Sequence, residues 1–326
     1  MGWYNRANCG DDAFVDAFEA LLPGQDLRFF EPSDGLPQLE QSERLILGGG
    51  DVIKQYYLES IEPTQPLWVV GCGLGYESEI HQLTKFNVQG AIFRNPSDVE
   101  IASQVGMPAV YAPDLCFSLP RIAPSPRAAG QRKRLGVILS GHPISGVEQP
   151  SMREASYFEY LQWELASALD ELVQYFDIHW ISFSSDPDAW DETAHYGVRR
   201  KMTVRKKQTF WPYVRSKPID QMRLIADMDL IITMKFHGAI FPSIQGVPFV
   251  CIGQTRKLQE YCLQSGLSEV LVPPYEFSKP RLLRAIKAAE EPGIPERLIN
   301  LSETNRQAVQ AAIEKIGLHT AGRPRL

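Results

Sequence analysis

The sequence predicts an α/β protein of two domains, each built on a parallel sheet. Three observations carry this reading. Short apolar runs alternate with stretches of helical periodicity. The alternation comes as two series, separated by a stretch at 120–134 that holds Pro120, Pro124, Pro126 and five basic residues. The chain of 326 residues, 44% hydrophobic and 10% aromatic, is large enough to bury two cores, which excludes a disordered or fibrous chain.

In the first series the expected strands are 27–30, 44–47, 67–70, 90–93 and 109–111. A helix at 12–22 would place Phe14, Val15, Phe18, Leu21 and Leu22 on one face, and Gly48-Gly49-Gly50 leads from a strand into a helix near 51–60. The second series opens with a strand at 135–139 and a long helix near 152–175. Strands at 178–183, 230–233 and 249–252 follow, and a helix at 302–316 closes it. The domains expected are 1–122 and 135–318, with a linker at 123–134 and a tail at 319–326. Only Met1 to Tyr4 precede the first loop, so the first strand of domain one is expected to be short or partly missing. There is no internal repeat or low-complexity tract.

Composition narrows the function. With 33 Lys and Arg against 39 Asp and Glu, the net charge of −6 argues against bulk nucleic-acid binding. The five cysteines are odd in number and form no C-x-x-C pair, so neither disulfides nor a thiolate metal site is expected. The best apolar runs, 67–72 and 247–252, fall far short of the roughly 20 residues of a membrane span. The N-terminus has no apolar core of signal-peptide length, and a cytoplasmic protein is expected.

In α/β sheets, ligands bind beyond the carboxyl ends of strands, so the loops there hold the candidates. Gly48, Gly49 and Gly50 follow a strand; a tight turn and an anion-binding backbone both account for them. Gly71-Cys72-Gly73-Leu74-Gly75 lacks the sixth glycine of a dinucleotide fingerprint, and the next strand ends in Arg94 rather than an acidic residue. Arg94 is a candidate anion ligand. Asp11 and Asp12 sit where a helix cap is needed and also face the ligand edge. The segment from Asp229 to Val250 reads as a buried strand, a turn bearing Lys235 and His237, a short helix interrupted by Pro242, and a second buried strand. It sets a cation and an imidazole two residues apart at a helix N-terminus. Asp186, Asp188, Asp191 and Glu192 read as a solvated helix start rather than a metal cluster. His142 follows the first strand of domain two, and His195 has no partner pattern. The stretch 199–217 packs eight basic residues around Phe210, Trp211 and Tyr213. It reads as a solvated loop face or, more sharply, as a contact for an anionic headgroup or glycan diphosphate through Arg205, Lys206, Lys207 and Trp211.

Taken in order, several motifs resemble the polysaccharide pyruvyl transferase family. They are Asn8-Cys9-Gly10-Asp11-Asp12, Leu47-Gly48-Gly49-Gly50, Gly71-Cys72-Gly73-Leu74-Gly75, Arg94 with Ser97, Pro113-Asp114-Leu115, Lys235-Phe236-His237-Gly238, Gly246-Val247-Pro248 and Lys257. The resemblance runs from about residue 8 to 267. It implies two Rossmann-like domains in a GT-B-like arrangement with a cleft between them. It also implies transfer of a pyruvyl group from phosphoenolpyruvate to two sugar hydroxyls, giving a cyclic ketal without metal or organic cofactor. His237 would be the general acid/base; Lys235, where the family usually has Arg, would hold the donor with Arg94, Asp11, Lys257 and the glycines. The acceptor would be a surface polysaccharide or its lipid-linked precursor, with contact at the inner face of an anionic membrane. A nucleotide-sugar glycosyltransferase of the same architecture and a non-catalytic glycan-binding relative are the other readings.

Overall fold

The computed structural model describes residues 1–35, 37, 39–40, 43–140, 152–185, 190–205, 208–214, 216–253, 255–273 and 275–318. Its chain divides into two compact units: one of Met1–Arg6, Asp11–Pro120 and Glu303–Leu326, the other of Ala7–Gly10 and Arg121–Ser302. The division after Pro120 lies near the start of the expected linker. The last helix, expected within the second domain, passes at Glu303 into the first.

In the first unit the chain runs α1 (Cys9–Leu21), β1 (Leu45–Gly50), α2 (Gln55–Leu58), β2 (Pro66–Cys72), α3 (Ser78–Leu83), β3 (Asn87–Phe93), α4 (Pro96–Gln104) and β4 (Ala109–Tyr111). The strands pair in chain order, all parallel, with Leu47 opposite Val69 and Val69 opposite Ala91. Parallel strands need both faces covered, and the apolar runs supply this: Leu45, Leu47, Leu67, Val69, Ala91 and Phe93 share one core with Ile80 and Leu83. The helix expected at 51–60 shortens to α2: Asp51 bonds Arg94 and Lys54 is extended, so the helix begins only at Gln55.

The run 27–30 is not a strand. Met1 lies along β1 instead, its amino group donating to the Ile46 carbonyl at 2.6 Å while Gly48 N–H donates to the Met1 carbonyl at 3.0 Å. Gly2 N–H reaches the Phe30 carbonyl, and Leu27, Phe29 and Phe30 line a cavity of about 450 Å³ with Tyr4 and Leu45.

The second unit runs β5 (Lys133–Ile138), α5 (Met152–Leu172), β6 (Phe176–Ile181), α6 (Asp191–Lys201), β7 (Gln208–Trp211), α7 (Pro218–Ala226), β8 (Leu230–Thr233), α8 (His237–Gln245), β9 (Phe249–Ile252), α9 (Arg256–Gln264), β10 (Leu271–Val272), α10 (Lys279–Ala289) and α11 (Ile294–Lys315). Its parallel sheet is ordered β10-β9-β8-β5-β6-β7. The chain therefore builds from β5 outward on one side, then returns to build from β8 on the other, which is the doubly wound order with its switch point between β5 and β8. The stretch 199–217 is not loop throughout: its described residues include the last turn of α6 and the edge strand β7, paired with β6. Among the described residues, no helix is long and apolar enough to cross a membrane.

Candidate functional site

The carboxyl ends of β5 and β8 mark the second unit's switch point, and the turn carrying Lys235 and His237 leaves β8 there. Local hydrogen bonds fix that turn. Met234 N–H donates to the Ile138 carbonyl of β5 at 2.9 Å, and the Thr233 hydroxyl accepts from Lys235 N–H at 3.0 Å while donating to the Lys235 carbonyl at 3.1 Å. α8 then begins at His237. From Gly238 to Gln245 it is buried, Pro242 included, and it stops at Gly246 in the left-handed conformation.

The half-buried imidazole of His237 stands edge-on to Phe236, ring centres 5.2 Å apart, and 6.0 Å from Phe241. The chain segment Ala7–Gly10 packs beside it in the same unit. Asn8 forms an antiparallel bridge with Ser184, Cys9 N–H donates to the Phe183 carbonyl at 2.7 Å, and Ser185 N–H to the Ala7 carbonyl at 3.0 Å. This brings the Gly10 backbone against the ring: a Cβ there would fall 2.8 Å from Cγ of His237 and collide with Nδ1. Only glycine permits that approach.

Lys235 does not stand alone. Its Nζ lies 2.7 Å from Oδ1 of Asp191, which is 0% exposed, and Oδ2 of Asp191 accepts from Phe183 N–H at 2.8 Å and Ser184 N–H at 2.9 Å. Burial pushes the Asp191 carboxyl up, opposed by Lys235 and those two amides. One helical turn on, fully buried His195 accepts from Leu139 N–H at 3.2 Å through Nε2. Burial, then the neighbouring Lys235 charge, pushes its pKa down to about 3, so the ring is neutral. α6 thus ties together the ends of β5 and β6 and the turn after β8.

The solvated-helix-start reading therefore fails for Asp191, and the reading of His195 as partnerless fails with it. The signal was in the spacing: Asp191, Ala194, His195 and Val198 form the i, i+3, i+4, i+7 stripe that α6 buries. Asp186, Asp188 and His142 lie outside the described residues.

In the first unit, Arg94 follows β3 with its side chain only 3% exposed. It bonds Asp51 and lies 3.8 Å from the fully buried Asp114, whose carboxylate also accepts from Cys116 N–H at 3.0 Å. Burial would lower the guanidinium's pKa, but the carboxylates of Asp51 and Asp114 outweigh it and raise the value. Gly48, Gly49 and Gly50 have a packing reason: a Cβ on Gly48 would sit 2.6 Å from Phe18, and the other two, both at positive φ, lie under Phe14 and Asp11 of α1. Asp12 accepts from Arg6 N–H at 3.2 Å.

Lys257, on α9 of the second unit, holds its ammonium 5.9 Å from the centre of the Phe236 ring. Arg205 donates to the carbonyls of Met202 and Arg200. Trp211, on edge strand β7, donates from Nε1 to Nδ1 of His179 at 3.0 Å, the two ring planes lying within 7° of each other. Lys206 and Lys207 lie outside the described residues. The structure thus gathers Lys235, His237 and Lys257 around one turn of the second unit, and places Arg94, Asp11 and the three glycines in the first.

Among curated proteins, none matches the chain. Among solved structures, a chain described as a UDP-N-acetylglucosamine 2-epimerase of Listeria monocytogenes aligns with TM-score 0.52 at 11% identity, over 80% of this chain and 70% of that one. The rhamnosyltransferase of spinosyn aligns with TM-score 0.45 at 12% identity, over 77% and 72%. The glycotransferase of kitacinnamycin gives 0.43 at 12%, over 71% of this chain, which spans 54% of that protein's length. At 11% identity the likeness to the epimerase concerns fold alone, and it agrees with two Rossmann-like units. The family model of polysaccharide pyruvyl transferases matches residues 8–256. That match covers most of the chain, which belongs to the polysaccharide pyruvyl transferase family.

Proposed function

We propose that the chain transfers the pyruvyl group of phosphoenolpyruvate to two hydroxyls of one sugar, in a surface polysaccharide or its lipid-linked precursor, releasing inorganic phosphate. The observation that supports this most is the pairing of Lys235 with His237 in one turn at the sheet's switch point, where α/β proteins bind anionic ligands. Phosphoenolpyruvate brings a carboxylate and a phosphate. The ammonium of Lys235, ion-paired with Asp191, has three N–H donors, and the start of α8 adds its own positive end. Arg94 has a smaller part in this reading, because two carboxylates already outweigh its single charge. Where the acceptor is lipid-linked, exposed Trp211 would meet the membrane, in a stretch of sequence rich in basic residues.

In the proposed reaction His237 gives a proton to the methylene carbon of phosphoenolpyruvate, and the adjacent carbon becomes cationic. The first sugar hydroxyl attacks it and returns its proton to His237. The carbon–oxygen bond to phosphate then breaks, the second hydroxyl closes the ring, and its proton leaves with the phosphate. One imidazole serves as acid and then as base.

Incubating the purified protein with phosphoenolpyruvate and a panel of free and lipid-linked sugars tests the reading. Acceptor-dependent phosphate release is expected, with a product heavier by one pyruvate less one water. Turnover of a nucleotide sugar instead would assign glycosyl transfer, and binding of a glycan without turnover of either donor would assign a non-catalytic role.

A further inference from the structure

We infer that Asp191 is a positioning residue for Lys235, fixing where the ammonium meets the donor's anionic group; this rests on the reading of Lys235 as a donor ligand. A lysine on a turn at a sheet edge ordinarily samples many rotamers, and an anion that binds it must first restrict them. Here the ammonium nitrogen is paired at 2.7 Å with one oxygen of a carboxylate that is itself tied down. Asp191 is wholly buried at the first residue of α6, and its second oxygen is fastened by the amides of Phe183 and Ser184 at 2.8 and 2.9 Å.

Three further features fit a positioning role. The Lys235 side chain keeps 17% exposure, so the ammonium is anchored yet reachable. His195, one turn along α6, is neutral and adds no competing charge beneath the pair, while its bond from Leu139 N–H holds the helix to the end of β5. Phe183 and Ser184, the residues Asp191 grips, also pair with Cys9 and Asn8 on their other side, so the anchor is braced from two directions. A solvated helix start would need none of this.

The test is a double-mutant cycle on Asp191→Asn and Lys235→Ala, read as KM for phosphoenolpyruvate and as kcat. Asparagine can still accept from the two amides but no longer attracts the ammonium. Asp191→Asn should therefore raise KM roughly tenfold with kcat within about twofold, and the double variant should be no worse than Lys235→Ala alone. A wild-type KM in Asp191→Asn, or losses that multiply in the double variant, would overturn the inference, since a purely structural aspartate acts independently of Lys235. A second measurement needs no Asp191 variant. In the ¹⁵N-labelled wild-type protein the Lys235 ammonium should give a slowly exchanging ¹H–¹⁵N signal, identified by its loss in Lys235→Met, that shifts when phosphoenolpyruvate is added. Fast exchange of that ammonium would contradict the anchoring. If the wild type neither binds nor turns over phosphoenolpyruvate while the slow signal is present, the donor reading fails and the anchor stands.

Discussion

Arg94 in the first unit and Lys235 in the second each follow a parallel strand at a sheet's carboxyl edge, and each bonds a carboxylate. Arg94 is almost inaccessible, faces two carboxylates, and sits in a local charge that sums to −1 with Asp51 and Asp114. Lys235 is balanced by one carboxylate, stays partly exposed, and has an imidazole two residues away. The same sequence signal, a basic residue after a β-strand, therefore marks a cation integrated into the fold in one place and a partly exposed cation beside an imidazole in the other. Accessibility and charge balance separate the two cases; residue type does not.

The comparison can be broken most easily through stability. Arg94→Ala removes the cation beside fully buried Asp114 and should cost roughly 3–5 kcal/mol, seen as a lower denaturant midpoint. Lys235→Ala should cost clearly less, because water can reach the site and two amides still hold Asp191. Equal losses would erase the distinction.

Acid stability sharpens it next. The His195 pKa is about 3 in the fold against an ordinary 6.5. Between those values the unfolded chain binds a proton that the folded chain refuses. The stabilising contribution is thus complete above pH 6.5 and is lost as pH falls, by about 1.4 kcal/mol per pH unit. His195→Gln, which keeps an acceptor for Leu139 N–H, should flatten this part of the stability profile; an unchanged slope would mean that His195 is not held neutral beneath Lys235.

A smaller effect belongs to Gly10. A methyl group there must displace the His237 ring, so Gly10→Ala should lower kcat roughly tenfold with little change in phosphoenolpyruvate affinity. Unchanged kcat would show that the contact does not set the ring's working position.

Much of the fold was legible in sequence because buried parallel strands are continuous apolar runs. Strands β4, β8 and β9 match the expected 109–111, 230–233 and 249–252. Strand β7 escaped because it is a half-exposed edge strand within a basic segment, and two-residue β10 is too short to show periodicity. The run 27–30 misled in the other direction: its apolar side chains line a cavity rather than a ladder, and its backbone meets Gly2 at one point. For the candidate site, the turn bearing Lys235 and His237 was visible as chemistry beside a buried strand. What escaped were its supports. Asp191 and Gly10 act from parts of the chain 44 and more residues away, and a charged residue on a buried helical stripe reads as surface until its partner is known.

The claim that matters most is that His237 moves protons during pyruvyl transfer, and His237→Gln tests it directly. Glutamine keeps a polar side chain of similar reach but cannot pass from acid to base. With folding verified by circular dichroism, kcat for acceptor-dependent phosphate release should fall roughly 10²-fold or more while the Kd for phosphoenolpyruvate, measured by calorimetric titration, stays within about threefold. Turnover close to that of the unaltered protein would contradict the account and leave His237 as a structural residue at the start of α8.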